Sequence, residues 1–249
     1  MKQRYFLEIA FDGTNYFGWQ VQTNQISVQE TISNILSNFY DNKIEIVGCG
    51  RTDTGVHALQ YFTHYETSVV RNNPFESLKL MFPKDIQLIN IHKVDSEAHA
   101  RFDATSRSYT YHLHQYKNIF KRHYSFAVKL KKLNNVEIQK ACKVFIEEEN
   151  YHVLCKKNPL LKDYKSKVIL AEWKVSEDQK TVVFNVSANR FLHNQIRRMV
   201  GVLINIGLGK ISVLELKTSM KNETPLPFND KSPANGLFLH TIKYPFIKE

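Results

Sequence analysis

The chain of 249 residues predicts an α+β fold built from two successive β-α-β-β-α-β units, each a sheet with helices on one face. Three observations predict it. Short stretches rich in Val, Ile, Tyr and Phe alternate apolar and polar residues with the period of a strand. Longer stretches between them repeat apolar residues at helical spacing. Turn-forming residues separate the two kinds, in the same order twice along the chain.

In the first unit, Tyr5, Leu7, Ile9 and Phe11 share one face of a strand over residues 4–11, which Asp12-Gly13 turns. Ser27 and Glu30 have capping-box spacing and open a helix whose apolar side is Val28, Ile32, Ile35, Leu36 and Phe39. Short strands are expected at 44–49 and 59–65. Asn73-Pro74 opens a second helix, with proline at its first position, and a strand over 86–94 closes the unit. The second unit starts with a strand at 108–116, followed by a helix near 136–146 burying Ile138, Ala141, Cys142, Phe145 and Ile146. Strands at 168–175 and 181–188 pair across a turn at Glu177-Asp178. A helix then carries Ile196, Met199, Val200, Leu203 and Ile204, with Gly207 expected as its cap. A short extra helix at 213–220 and a strand at 237–242 end the chain. The units share no sequence self-similarity, so the duplication is one of architecture. The expected domains are 1–104 and 105–249, both ferredoxin-like.

Composition narrows the partners. With 43% hydrophobic residues the chain can bury a real core, which excludes a disordered protein. Its formal charge of +10 is unevenly spread. Residues 1–100 hold 8 Lys and Arg against 11 Asp and Glu, whereas residues 101–249 hold 26 against 13. Such an excess in one part of a folded chain suits a polyanion, most often nucleic acid, although a merely basic soluble protein shares the property. Cys49, Cys142 and Cys155 form no CxxC pair, which fits reduced thiols rather than a disulfide framework or a zinc site. The N-terminal residues lack the apolar stretch of a signal peptide, and Met199–Ile206, the longest apolar run, falls far short of the roughly 20 residues of a membrane span. A soluble, cytoplasmic protein is expected.

The most informative stretch is Gly50-Arg51-Thr52-Asp53-Thr54-Gly55-Val56-His57. Its glycines permit tight turns beside charged side chains that add nothing to a core. Asp53 here is either a chemical group or the cap of its own loop in an Asx-turn. A phosphate loop is excluded, because Val56-His57 stands where Lys-Ser/Thr is required.

The segment GRTDTGVHA, residues 50–58, resembles the active-site signature of the tRNA pseudouridine synthase A (TruA) family. Further motifs resemble the family in the same order: Asp12 to Gln20 its first turn, Ser27-Val28-Gln29-Glu30 its first helix start, and His99 to Phe102 with Arg107 to Tyr111 its central segment. Phe191 to Gly201 resembles its second-domain helix, and Gly236-Leu237-Phe238-Leu239 its closing strand. One departure is Leu59-Gln60-Tyr61-Phe62, where many relatives have smaller or Gly/Gln-containing residues; it bears on the packing beneath the loop. The resemblance implies two ferredoxin-like domains sharing an extended antiparallel or mixed sheet, a central basic cleft, and usually a homodimer. It also implies isomerisation of uridine to pseudouridine in the anticodon stem-loop of tRNA, at positions 38, 39 and 40, with no cofactor and no metal.

Roles follow from that resemblance. Asp53 corresponds to the catalytic carboxylate; addition to the base, attack on C1′ and initiation of elimination all remain open to it. Covering a carboxylate with a base removes water and disfavours its charged form, so a cation is needed beside it. Arg197 corresponds to the family's helix arginine, although viewed alone it reads as a solvated helix residue. Tyr109 alternates with Tyr111 and Leu113 along a strand and alone reads as a core or interface aromatic; the resemblance makes it the ring stacked on the target base. Arg51 would hold the flipped nucleotide or fill its place, against a loop-stabilising ion pair. His57 reads as a loop-stabilising histidine. His112 and His114 share a strand face, but no carboxylate or cysteine completes a zinc set. Lys129, Lys131, Lys132, Lys156, Lys157, Lys162, Lys165 and Lys167 are candidate phosphate contacts or a solvated face. Two other classes stand beside the isomerase: a noncatalytic RNA-binding module, and a metal-dependent nucleic-acid hydrolase using Asp53, His57 and His64, which a chelator would inactivate.

Overall fold

Nine strands and five α-helices make a mixed α+β architecture in the computed structural model, which describes residues 2–247. Contacts divide the chain into two units, one running to Thr105 and resumed from Phe238, the other Ser106–Leu237.

In the first unit, β1 (Gln3–Phe11) is paired antiparallel on both sides, with β3 (His57–Thr67) and β4 (Ile86–Val94). Both of its faces are covered. Leu7, Ile9 and Phe11 face the helical side, as the alternation expects, but Phe6 on the other face is fully buried as well. It packs edge-on against Tyr244 and Phe246. Helix α1 (Val28–Tyr40) buries Val28, Ile32 and Leu36 completely, each worth about 1.5–3 kcal/mol. Its stripe runs on to Tyr40, whose hydroxyl lies 2.9 Å from that of Tyr65 on β3, while Ile35 and Phe39 are only half-buried. Ser27 Oγ accepts from Glu30 N at 3.2 Å, as the cap requires. The reciprocal capping box forms at Ser212 and Glu215 instead. Pro74 occupies the first position of α2 (Pro74–Lys79).

The strand expected at 44–49 is reduced to β2 (Val47–Gly48). The cause is competition for its backbone. Ile44 N–H donates to Ser37 Oγ at 2.9 Å, Ile44 O accepts from Ser33 Oγ, and Ile46 O accepts from Gln29 Nε2 at 3.0 Å. Side chains of α1 take the groups that a ladder would have used.

The chain from Phe238 onward belongs with the first unit, whereas the sequence grouped 105–249 together. Strand β9 (Leu237–Lys243) explains the difference: it runs parallel to β3, with His57 opposite Phe238 and Ala58 opposite Leu239. Ile242 N then donates to Gln60 Oε1 at 2.9 Å, and the Tyr244 hydroxyl to Ala100 O.

In the second unit, β5 (Ser106–His114) and β7 (Val168–Val175) both pair antiparallel with β8 (Thr181–Ala188), and the short β6 (Phe126–Ala127) runs parallel to β5. Helix α3 (Asn135–Glu147) buries Ile138, Ala141, Cys142 and Phe145 between β7 and α4 (Gln195–Gly207), but Ile146, expected inside, is 44% exposed. Gly207 does not cap α4. It is buried within the last turn, where a Cβ would press on Ile138 and Leu133, and Gly209 adopts the left-handed conformation two residues later. Helix α5 is Val213–Asn222. All three cysteines are buried thiols; burial pushes Cys142 up to about 12 and Cys155 up to about 11. Among the described residues no helix is long and apolar enough to cross a membrane.

Candidate active site

In the first unit the Asp53 loop is a braced turn. Val56 N donates to Asp53 O at 3.1 Å, closing a β-turn whose third residue, Gly55, has φ 77. That conformation suits glycine and strains other L-residues. The loop is clasped by a second motif, Tyr16 to Trp19: Trp19 N donates to Thr52 O at 3.2 Å and Gly55 N to Tyr16 O at 3.4 Å. Gly18, with φ 82, lies so close that a Cβ there would collide with the carbonyl oxygen of Thr52. The clasp is itself anchored to the start of α1, since Val28 N donates to Gly18 O at 3.2 Å and Gln29 N to Trp19 O at 3.0 Å. Three separate sequence motifs thus meet around one aspartate. Asp53 is half-buried and Arg51 exposed.

Support from below comes from the residues that depart from the family pattern. Tyr61 is fully buried, stacks on Trp19 with ring centroids 4.2 Å apart, and donates its hydroxyl to Gly50 O. Leu59, by contrast, is 48% exposed. His57 serves the neighbouring turn: its Nδ1 accepts from Gly13 N at 3.1 Å and lies 3.0 Å from Asp12 Oδ1, and its ring stacks on Phe238. The Asp12 carboxylate accepts from Thr14 N at 2.9 Å. Tyr16 donates to Asp85 Oδ1 at 2.8 Å, and burial with that neighbouring carboxylate pushes its phenol well above the ordinary value. His64, also buried, accepts at Nδ1 from Ala100 N at 3.1 Å, and burial lowers its imidazole to about 4. Among the described residues no group of three His, Cys, Asp or Glu side chains is placed to hold a metal ion.

The second unit brings Tyr109 and Arg197 into one neighbourhood through Tyr111. Tyr109 is half-buried on β5, with Phe191 edge-on at 5.3 Å. Tyr111, two residues along the same face, is fully buried and donates to Pro233 O at 2.7 Å. Burial raises its phenol, and the Arg197 guanidinium acts in the opposite direction. Arg197 is only 9% exposed, so it is no ordinary solvated helix arginine. Its Nε donates to Ser232 O at 2.7 Å, while Ser232 N donates back to Arg197 O at 3.0 Å. Arg198 Nη1 holds Asn229 O at 2.7 Å, and Gly201 gives Asp230 room to pass. Residues 229–233 therefore strap the first turns of α4. The lysines from Lys129 to Lys167 singled out above are all exposed on this unit. His112 and His114 lie on β5, where His114 Nδ1 is 2.9 Å from Ser125 Oγ.

Sequence reasoning gave no role to Trp19 or Tyr111, placed Tyr61 only in the packing beneath the loop, and missed the Ser232–Pro233 strap. Only Tyr111 carried a local signal, its alternation with Tyr109.

A family model described as tRNA pseudouridine synthase matches residues 141–245. The chain is 36% identical to tRNA pseudouridine synthase A of Bacteroides fragilis over 249 aligned residues, covering 98% of this chain and 97% of that protein. It is 36% identical to the protein of the same name from Bacteroides thetaiotaomicron, over 98% of this chain and 91% of the relative. It is 31% identical to tRNA pseudouridine synthase A 2 of a Bacillus cereus strain, over 96% and 99%. Likeness at this level along the whole length, in a chain whose signature motifs fold around one aspartate, places the protein in the tRNA pseudouridine synthase A family.

Proposed function

We propose that the protein is an isomerase that converts uridine to pseudouridine in the anticodon stem-loop of tRNA, at positions 38, 39 and 40, with Asp53 as its catalytic carboxylate. It acts in the cytoplasm as a homodimer of two-domain chains, each domain ferredoxin-like. The first domain carries the carboxylate and the basic second one binds RNA.

The observation that carries this reading is the clasp on the Asp53 turn. The Tyr16–Trp19 loop, the start of α1 and the buried Tyr61 all fix the backbone on either side of one half-buried carboxylate. A module that only bound RNA would gain nothing from holding a negative charge there, since phosphates repel it. The reaction breaks the N1–C1′ bond, turns the base and rejoins it through C5, which calls for an anionic oxygen held in register rather than for an electron carrier. Fixing that oxygen beforehand supplies the positional part of the catalysis. Tyr109 stacks on the flipped uracil, a contact worth roughly 1–3 kcal/mol. Arg197 and Arg51 bind the substrate, Arg51 steadying the displaced nucleotide.

The test is nucleoside analysis of uridine-labelled tRNA transcripts after incubation with the parent protein and with Asp53→Asn. Pseudouridine is expected from the parent alone, at full tRNA binding by both. Product from the Asn variant at the parental rate would overturn the assignment. Tyr109→Phe should bind tRNA normally and turn over more slowly; lost binding would make Tyr109 structural.

A further inference from the structure

A cavity of about 260 Å³ opens in the second unit where the turn before β7 meets α4 and the end of α5, lined by His152, Lys156, Lys157, Arg198, Glu223 and Asn229 together with apolar side chains. It is unusual in what its walls leave unused. Seven side-chain nitrogen or oxygen atoms among the described residues are buried without a hydrogen-bond partner, and three of them, His152 Nδ1, Arg198 Nε and Asn229 Oδ1, belong to side chains that line this one cavity. A buried polar atom left unpaired costs about 1–3 kcal/mol, so three on the side chains around one opening favour a polar occupant over an apolar one.

The chemistry of the walls says which occupant. Arg198 Nε–H and the two lysine ammonium groups are donors, and Arg198 is fixed by its other arm, Nη1, on Asn229 O at 2.7 Å. Asn229 is oriented in turn by donating Nδ2 to Val153 O, which leaves its oxygen as an unpaired acceptor. Three cations face one carboxylate, that of Glu223, which is already engaged by Asn150 Nδ2 at 2.7 Å and lies 3.6 Å from His152 Nδ1. The balance is positive, and the volume lies below the roughly 300–1,000 Å³ of pockets that enclose drug-sized ligands. A single phosphodiester group fits these limits, with the Asn229 oxygen facing a hydrogen of the same nucleotide, such as a ribose 2′-hydroxyl.

We propose that this cavity is a phosphate-binding site that takes one backbone phosphate of the RNA substrate. The proposal rests on the tRNA reading above and adds to it a fixed anchoring point formed by Lys156, Lys157 and Arg198.

Lys156 and Lys157 are exposed, so the double variant Lys156→Gln/Lys157→Gln leaves the fold intact. Its tRNA affinity, measured by fluorescence anisotropy across a salt series, should fall several-fold, with the slope of log K against log salt smaller by about 1. Arg198→Lys, which keeps the charge but removes Nε, should weaken binding while changing the slope little. Unchanged affinity and slope in a folded double variant would overturn the site. So would a variant that loses binding of inorganic phosphate, titrated by calorimetry, yet keeps full tRNA affinity, because the cavity would then serve a free anion. Failure of the parent protein to form pseudouridine bears on the function proposed above and leaves these binding measurements intact.

Discussion

Tyr111 and Arg197 hold neighbouring carbonyls of one strap: the Tyr111 hydroxyl donates to Pro233 O and Arg197 Nε donates to Ser232 O, each at 2.7 Å. A helix arginine is thereby fixed from outside its own helix, by a strand tyrosine that secures the same segment. The two residues should separate in their effects. Tyr111→Phe deletes one hydrogen bond, about 0.5–1.5 kcal/mol, and lowers the urea midpoint without altering its slope. Its turnover should fall only several-fold, as the strap loosens. Arg197→Ala removes the charge itself, and loss of one electrostatic contact of this kind lowers turnover by about 10²–10³. Parental single-turnover rates in a folded Arg197→Ala protein would remove its role.

Gly18 decides where the Asp53 loop sits. It has φ 82 and packs directly against the Thr52 carbonyl. Gly18→Ala imposes a left-handed alanine, about 1–2 kcal/mol, and also a collision with backbone that cannot swing away. The expected outcome is a folded protein of lower thermal midpoint in which turnover drops by more than tenfold while tRNA affinity changes little. A variant that loses stability but keeps parental turnover would show that the carboxylate tolerates displacement, against the clasp as a positioning device.

His64 makes the first unit sensitive to mild acid. Burial lowers its imidazole from 6.5 to about 4, helped by His99 and Arg4 and opposed by Glu66 and Asp103. Between those values the unfolded chain carries a proton that the folded one refuses. Stability is therefore complete above about pH 6.5 and falls as the pH drops towards 4, by up to about 3 kcal/mol. Protonation at Nδ1 would also cost the bond accepted from Ala100 N. In His64→Gln, which cannot titrate, urea unfolding measured from pH 7 to pH 4.5 should lose most of this slope. An identical slope would assign the acid sensitivity to other groups.

How much of this was legible depends on the range of the contacts. Strands β1, β4, β7 and β8 and helices α1, α3 and α4 follow from periodicity, because each buries a face that its own residues declare. The motif around Asp53 was visible for the same reason: its glycines and charges are contiguous. What brings it into shape was not. Trp19 stacking on Tyr61 and Arg197 bonding to Ser232, 35 residues away, are pairings no local pattern encodes. Strand β2 was overestimated because Ile44 and Ile46 are buried, as in a strand, yet Ser33, Ser37 and Gln29 of α1 claim their backbone groups. Residues from Phe238 onward were grouped with their sequence neighbours because a parallel partner as distant as His57 leaves no trace in spacing.

Gly207 illustrates the same limit and offers a sharp test. Read locally, a glycine at the end of an apolar helical run is a cap; in the fold it is a contact surface. Its missing Cβ would lie 2.7 Å from Ile138 Cδ1 and 3.1 Å from Leu133 Cδ2, and Asn134 N is tied to its carbonyl at 2.8 Å, so α3 cannot simply step back. Two effects compete in Gly207→Ala. Helix propensity favours alanine by about 0.8–1 kcal/mol, whereas overpacking a filled core costs about 1–3 kcal/mol. Ile138 is fully buried, so the overpacking term wins and the variant is less stable. The cause can be isolated with Ile138→Val, which removes the colliding methyl and alone costs about 0.5–1.5 kcal/mol. If the clash is the reason, the double variant is more stable than the sum of the two single losses by at least about 0.5 kcal/mol in urea unfolding. Strict additivity would mean that the Ile138 methyl is not the obstacle, and turnover per folded molecule should stay parental in every case.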